Sequence, residues 1–336
     1  MKKTIAIAAI AVLFSAMASA GPSKGASHEA ASNASKTVHF NSISIDGLSI
    51  FYREAGDTNK PTILLLHGFP SSSHMFRDLI NDLAGDYHLI APDYPGFGQS
   101  SAPSPATYAY TFDHLAATIS QFIDSLHLKK VCLYLHDYGG PVGFRIATQR
   151  PSLVQALIIQ NANAYNEGLG DALKPLVAYI QNPNDTTVTP VKGFLSLAGT
   201  KWQYTNGAED PTKISPDSYI TDQYYLDRPG SQEIQLALIR NYGTNLPLYA
   251  AWQAYFKLYQ PYTLVISGKN DQLFTYPGAE AYKRDLPDAQ ISLLSGGHFV
   301  LEEKHAAAAS LIKTFLYKKG YNNFLARDKT DLSVLN

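Results

Sequence analysis

The feature that most constrains this chain is a buried strand that joins a helix through a short, glycine-containing turn. Residues 131–135 are mostly apolar and predict the strand, and residues 141–150 predict the helix. Between them, residues 136–140 read His-Asp-Tyr-Gly-Gly. Glycines permit the tight backbone conformations that such a turn needs. Asp137 within the turn is therefore either a helix N-cap or a carboxylate presented for chemistry.

Strands and helices alternate along most of the chain. The segment 38–54 predicts a hairpin that turns at Asp46-Gly47. Further strands are predicted at 62–66, 88–91, 131–135, 153–160, 262–267 and 290–294, and helices at 76–83, 112–126, 141–150, 277–285 and 303–318. This alternation predicts an α/β fold with a mostly parallel, doubly wound sheet.

The alternation stops between residues 163 and 245, where helical patterns and tyrosines replace strand signals. We predict a helical lid inserted after the sixth strand, between two core segments at 38–162 and 246–320. The chain contains 22 tyrosines, and many of them fall in and around the insertion. Such tyrosines either pack against one another or line a pocket with phenol donors.

The first twenty residues resemble a secretory signal peptide. Lys2 and Lys3 precede an apolar run at 4–14, and Ala18-Ser19-Ala20 forms a cleavage site. The apolar run is shorter than the roughly 20 residues that a membrane span needs, so no membrane insertion is expected after cleavage. Residues 21–37 predict a flexible linker. We therefore expect a protein exported to a bacterial periplasm or secreted.

Composition argues against several other classes of protein. The formal net charge is −1, and the absence of a basic stripe in the sequence argues against nucleic-acid binding. Cys132 is the single cysteine, which rules out an internal disulfide. The sequence has neither a zinc-ligand spacing nor a glycine-rich phosphate loop. We therefore expect no metal and no organic cofactor.

Two later strand ends carry groups that complement Asp137. Asp271 follows the strand at 262–267, and His298 follows the strand at 290–294. Ligands of open α/β sheets bind at the carboxyl ends of the strands, so these side chains are predicted to meet. His298 would activate water, and Asp271 would orient the imidazole. The sixth strand ends in Asn-Ala-Asn with Glu167 as the nearest carboxylate, which favours Asp271 as the acid.

With these motifs the chain resembles the branch of the α/β-hydrolase superfamily that holds epoxide hydrolases and haloalkane dehalogenases. The resemblance covers residues 38–318. It includes His-Gly-Phe-Pro at 67–70 and Asp-x-Pro-Gly-x-Gly-x-Ser at 93–100. It implies an α/β-hydrolase fold with a helical lid, in which the order nucleophile, acid, histidine is the usual one.

The two branches differ in the groups that they present to the leaving atom. Dehalogenases of this type hold the halide with side-chain N–H donors, but the matching positions here are Phe69 and Tyr138. Trp202 or Trp252 could still supply a donor. Epoxide hydrolases carry His-Gly-x-Pro, which residues 67–70 match, together with two lid tyrosines that protonate the epoxide oxygen.

The resemblance suggests Tyr179 and Tyr249 as the two lid proton donors, with Tyr204 as an alternative. Asp137 would open an epoxide and form an ester, which water activated by His298 would then hydrolyse to a diol. The backbone N–H groups of Phe69 and Tyr138 are predicted to form the oxyanion hole.

The sequence thus predicts an enzyme that acts on a small hydrophobic organic molecule, and it leaves the oligomeric state open. Two alternatives to the epoxide hydrolase remain. The first is a haloalkane or haloacid dehalogenase with the same triad, and the second is a catalytically silent binding protein with this fold. A serine esterase is disfavoured because Asp137 occupies the position of the serine.

Overall fold

An eight-stranded sheet forms the centre of the chain, in the order β1-β2-β4-β3-β5-β6-β7-β8. The pairs β1–β2 and β2–β4 are antiparallel, and all other neighbours are parallel. The predicted mostly parallel sheet is confirmed. The strands are β1 (His39–Ile45), β2 (Leu48–Ala55), β3 (Thr62–Leu66), β4 (His88–Pro92), β5 (Val131–His136), β6 (Val154–Gln160), β7 (Tyr262–Gly268) and β8 (Gln290–Leu294).

Eleven α-helices accompany the sheet within the described residues. They are α1 (Arg77–Leu83), α2 (Phe112–Ser125), α3 (Gly139–Gln149), α4 (Lys174–Gln181), α5 (Asp185–Phe194), α6 (Leu197–Thr205), α7 (Pro216–Leu226), α8 (Ser231–Asn241), α9 (Tyr249–Tyr259), α10 (Tyr276–Ala281) and α11 (Leu301–Lys318). A short 3-10 helix, Tyr242–Thr244, continues α8.

The computed structural model describes residues 36–318 and Gly320. These residues fall within one compact unit. The predicted signal peptide, 1–20, and residues 21–35 of the predicted linker lie outside the described residues. None of the described helices combines the length and the apolar character that crossing a membrane requires.

The two faces of the sheet carry separate hydrophobic cores. Because successive residues of a strand point to opposite faces, Leu64 and Leu66 of β3 join the core under α2 and α3, whereas Ile63 and Leu65 join the core under α1 and α11. All four leucine and isoleucine side chains are fully buried. Burial on both faces explains why β3 is a continuous apolar run, as expected for a central parallel strand.

The chain between β6 and β7 is helical and holds α4 to α9. The last of these helices, α9, falls within the predicted core segment 246–320, and it packs against the core helix α3. The rings of Trp252 and Phe144 lie 5.2 Å apart between these two helices. The remaining insertion helices, α4 to α8, supply much of the cover for the carboxyl edge of the sheet, where the candidate site lies.

Candidate active site

The turn between β5 and α3 has a strained, crowded backbone. Asp137 has a φ of 49°, which is in the left-handed region that non-glycine residues rarely adopt. A Cβ on Gly139 would lie 2.2 Å from the Leu66 carbonyl oxygen, and one on Gly68 would lie 2.3 Å from the Asp137 Cβ. Glycine at both positions therefore lets β3 approach the turn closely and place its following loop beside Asp137.

The Asp137 carboxylate is buried and is held by backbone donors. The Phe69 N–H donates to Asp137 Oδ1 at 2.6 Å, and the Tyr138 N–H also bonds the carboxylate. Burial raises the pKa of Asp137 to about 6, although the His298 charge and these two N–H groups oppose the rise. Both N–H groups predicted for the oxyanion hole thus converge on the predicted nucleophile.

His298 lies between the two predicted carboxylates. Its Nδ1 is 2.8 Å from Asp271 Oδ2, and its Nε2 is 3.8 Å from Asp137 Oδ2. Burial lowers the pKa of His298, but the charge and hydrogen bond of Asp271 and the charge of Asp137 outweigh it, so the pKa is raised. The structure therefore brings Asp137, Asp271 and His298 together in the arrangement of a nucleophile, an orienting acid and a base.

Asp271 has a second buried partner that sequence reasoning missed. The Nδ2 of Asn161 donates to Asp271 Oδ2 at 2.7 Å, and the Gly268 N–H donates to Asn161 Oδ1 at 3.2 Å. The Leu273 N–H donates to Asp271 Oδ1 at 2.8 Å. Asn161 follows β6, at the strand end inspected for an acid. Because only carboxylates were sought at this strand end, the sequence did not reveal that the Asn161 amide holds Asp271 in place.

His136 is a further buried neighbour of the site. Its Nε2 lies 3.2 Å from the backbone oxygen of His298, and the two imidazole rings are 4.8 Å apart. Burial and the nearby His298 hold the pKa of His136 well below its usual value. A neutral ring here supports the loop that carries His298. His136 belongs to the turn motif at 136–140, but the motif does not indicate its contact with the backbone of His298.

A cavity of about 270 Å³ opens above Asp137 and Tyr138. Its wall is formed mostly by apolar side chains from α4, α8 and the loops after β3 and β7. The lining residues that give it this character are Phe69, Leu169, Leu173, Leu176, Val177, Ile180, Phe194, Ile239, Leu246, Leu273 and Phe274. Tyr242 and Gln203 also line it. The cavity suits a small apolar molecule with one polar reactive end.

The structure places the two predicted lid proton donors off the described cavity wall. Tyr179 is buried in the hydrophobic core, and neither Tyr179 nor Tyr249 belongs to the described lining of the cavity. Two tyrosines do line it, Tyr138 next to Asp137 and Tyr242 in the turn after α8. The assignment of Tyr179 and Tyr249 as proton donors stays a prediction, because a sequence with many lid tyrosines does not reveal which rings face inward. We found no local sequence signal that singles out Tyr242.

The other residues considered for the leaving group lie elsewhere. Tyr204 is buried, donates to Asp222 Oδ2 at 2.5 Å and stacks on Phe299. Trp252 packs on Phe144, and Trp202 packs on Phe194. None of the three lines the cavity as far as the described residues define it. Residues 36–318 also contain no group of three or more His, Cys, Asp or Glu side chains arranged for a metal ion.

Residues 61–305 match the family model described as alpha/beta hydrolase fold. The chain belongs to the α/β-hydrolase fold family. A curated relative supports the same assignment over most of this α/β-hydrolase. The uncharacterized hydrolase YNR064C of Saccharomyces cerevisiae is 41% identical over 272 residues, which are 80% of this chain and 93% of the yeast protein.

Other relatives of this α/β-hydrolase include both enzymes that the sequence resembles. Epoxide hydrolase 4 of Homo sapiens is 27% identical over 282 residues, covering 80% of this chain and 76% of the human protein. The crystal structure of the haloalkane dehalogenase DatA from Agrobacterium tumefaciens C58 matches with a TM-score of 0.71 and 24% identity. That match covers 84% of this chain and 97% of DatA. The chain is therefore an enzyme of the α/β-hydrolase type, related to both groups.

Proposed function

We propose that this protein hydrolyses epoxides to diols through a covalent ester on Asp137. The observation that carries the proposal is the kind of donor that faces the nucleophile. Tyr242 presents a phenol to the cavity, and neither tryptophan of the chain belongs to its described lining. A phenol can give a proton to an alkoxide, which is the leaving group of an opened epoxide. Dehalogenases of this type hold the departing halide with side-chain N–H donors, and no indole N–H belongs to the described lining.

In the first half-reaction, Asp137 attacks one carbon of the epoxide ring. The carbon–oxygen bond breaks, the carbon becomes esterified to Asp137, and the ring oxygen takes a proton from Tyr242. Apolar side chains around the cavity exclude water from this step and hold the hydrocarbon part of the substrate. Ester formation neutralises Asp137. The negative charge that is lost is one cause of the raised pKa of His298.

In the second half-reaction, His298 acts as a base towards water. Without the Asp137 charge its pKa falls, so the neutral imidazole becomes more available. The activated water attacks the ester carbonyl, and the N–H groups of Phe69 and Tyr138 stabilise the oxyanion. Asp271, fixed by Asn161, holds His298 Nδ1 at 2.8 Å and stabilises the imidazolium.

The experiment is the intact mass of a His298→Gln variant after incubation with aliphatic and aryl epoxides or with haloalkanes. This variant should form the ester and fail to hydrolyse it, so we expect a mass gain equal to the whole epoxide. A double variant that also carries Asp137→Ala is the control and should gain nothing. A gain equal to an alkyl group without its halogen would assign the protein to the dehalogenases, and no adduct from either class would favour the silent fold.

We also propose that the protein is exported. The support is the sequence of residues 1–20, with two lysines, an apolar run and a small-residue cleavage site. Expression with the native N-terminus in a Gram-negative host should yield a periplasmic protein whose first residue is Gly21. Uncleaved protein in the cytosol would contradict this proposal.

A further inference from the structure

Gln203 is a buried lid residue whose side-chain oxygen bonds no other group of the described residues. It belongs to α6, lines the cavity above Asp137 and is 2% exposed. Its Nε2 donates to the backbone oxygens of Phe194 and Gly199, each at 3.4 Å. Because a carbonyl oxygen can only accept, these two contacts identify the nitrogen end of the amide. The oxygen end, Oε1, is therefore the end left available to a ligand.

A second buried lid glutamine shows what is particular about Gln203. Gln235 of α8 is 1% exposed and does not belong to the described lining of the cavity. Its Oε1 is sealed in the interior and has no hydrogen-bond partner among the described residues. Gln203 Oε1 also lacks a donor from those residues, but it is not sealed in this way. The open space that Gln203 borders is the cavity.

The helix that carries Gln203 is held by buried hydrogen bonds on either side of this residue. Thr200 Oγ1 donates to Gln223 Oε1 at 2.8 Å, and Tyr204 Oη donates to Asp222 Oδ2 at 2.5 Å. All four of these side chains are buried. Together they fix the rotation of α6 against α7, so Gln203 is preorganised, which lowers the entropic cost of binding a partner.

The rest of the cavity wall determines which kind of donor suits Gln203 Oε1. Asp137 is the one charged side chain of the described lining, and the epoxide occupies it. An ammonium beside Gln203 would therefore be buried without a counter-charge, which is costly. An amide would bring a carbonyl that needs its own donor, whereas the Gln203 nitrogen is already bonded. A neutral hydroxyl can donate its single hydrogen to Oε1.

We propose that Gln203 is a specificity-determining residue through which the enzyme selects epoxides that carry a hydroxyl group on a short chain. This inference rests on the proposed epoxide hydrolysis and names its substrate class. The epoxide lies at Asp137, the chain lies against the apolar wall, and the hydroxyl donates to Gln203 Oε1. The chain is short because the cavity, at about 270 Å³, is smaller than most pockets for drug-sized ligands.

The selectivity follows from the cost of an unpaired acceptor. A hydrocarbon epoxide of the same size would fill the cavity and exclude water from Gln203 Oε1 without giving it a hydrogen bond. A site built to bond a substrate hydroxyl discriminates against an analogue without it, because the polar group of the site is then left unpaired. For one neutral hydrogen bond, we expect a preference of roughly 10- to 100-fold.

The test is the kcat/KM of the wild-type enzyme for two matched series of terminal epoxides. One series ends in a hydroxyl, begins with glycidol and lengthens by one methylene at a time. The other carries a methyl group in place of each hydroxyl. At the chain length that reaches Gln203, the hydroxyl member should be preferred by roughly 10- to 100-fold. The preference should be smaller for shorter and longer chains.

A pair of glutamine variants assigns the preference to its residue. Gln203→Met keeps the length of the side chain and removes the acceptor. It should lower kcat/KM for the preferred hydroxy epoxide by roughly 10- to 100-fold and leave the methyl analogue within about 3-fold of wild type. Turnover of the methyl analogue also shows that the variant is folded. Gln235→Met removes the sealed amide of α8 and should leave the preference unchanged.

The outcomes separate this inference from the function on which it rests. Equal kcat/KM for the two series at every chain length would overturn the inference, while turnover still supported epoxide hydrolysis. A hydroxyl preference that persists in Gln203→Met would overturn the role of Gln203. A stronger preference for epoxides that end in an amine or an amide would overturn the choice of a hydroxyl. If wild type turned over no epoxide and His298→Gln formed no ester, the proposed function would fail, and this inference with it.

Discussion

The strand ends of the sheet and the helical lid contribute to the same site, but they relate to the sequence in different ways. Asp137, Asp271 and His298 each follow a parallel strand, and the sheet topology brings their side chains together. The lid contributes Tyr242, whereas the predicted Tyr179 and Tyr249 lie away from the cavity wall.

Sheet topology constrains the positions of the strand-end residues much more tightly than it constrains those of the lid residues. Parallel strands end at a common edge, so a residue that follows a strand can be placed without knowing any side-chain contact. Lid helices have no such common edge, and their rotation depends on packing between neighbouring helices. Substitutions at the strand ends and in the lid therefore test whether the two regions carry the roles proposed for them.

The largest effect is expected for the nucleophile at the strand end. Asp137→Ala should lower kcat/KM for an epoxide by about 10⁴-fold or more, because no other group can form the ester. Asp288→Ala removes an exposed carboxylate near β8 and is the matched control, for which we expect wild-type activity. Diol formation by Asp137→Ala at near wild-type rate would show that Asp137 is not the nucleophile.

The next effect tests the lid. Tyr242→Phe should slow ester formation by roughly 10²- to 10⁴-fold, the usual contribution of a general acid. Tyr179→Phe should change it by less than about 3-fold, because Tyr179 lies in the hydrophobic core and not on the described cavity wall. The measurement is single-turnover ester formation by rapid quench and mass spectrometry. If Tyr179→Phe slowed ester formation more than Tyr242→Phe did, the result would support the predicted assignment of Tyr179 as a proton donor.

A smaller effect is expected for Asn161, the amide that holds the acid. Asn161→Ala should slow ester hydrolysis by roughly 10- to 100-fold, since it removes a hydrogen bond to a charged partner. Ester formation should stay nearly unchanged, because it does not use Asp271 directly. Asn184→Ala is the control in the lid. Its side chain caps α5, so it should lower stability by about 1 kcal/mol without affecting either half-reaction. Equal slowing of both half-reactions in Asn161→Ala would argue against a specific action through Asp271.

The smallest expected effect is the dependence of ester formation on pH. Burial raises the pKa of Asp137 to about 6, and only the ionised carboxylate attacks. As pH falls through about 6 the ionised fraction falls, so ester formation should drop about tenfold at pH 5 relative to its plateau. A single-turnover pH profile checks this, and a limb near pH 4, the ordinary range of an aspartate, would contradict the effect of burial.

The same shift predicts how the pH affects stability. Because the folded pKa of Asp137 lies above its unfolded value, burial of the charge opposes folding. This cost is absent below about pH 4, grows between about pH 4 and pH 6, and is complete above about pH 6. Asp137→Asn should therefore raise the free energy of unfolding at pH 7 by on the order of 3 kcal/mol. The gain should vanish near pH 4, and chemical denaturation at the two pH values measures it.

The fold and the strand-end residues of the site could be predicted from the sequence alone. Alternating patterns located β1 and β2, and short apolar runs located β3 to β8 to within a few residues, because a strand buried on both faces must be apolar. The turn at 136–140, Asp271 and His298 could be placed because each follows such a strand. The family match over residues 61–305 supports the same fold.

The polar groups that surround those residues became visible only in three dimensions. Asn161 holds Asp271, His136 supports the His298 loop, and Tyr242 lines the cavity whereas Tyr179 and Tyr249 are not among its described lining. Each of these roles depends on the direction of a side chain across elements that are distant in sequence. That direction is set by helix rotation and by the pairing of buried polar groups, and neither leaves a periodic pattern in the chain.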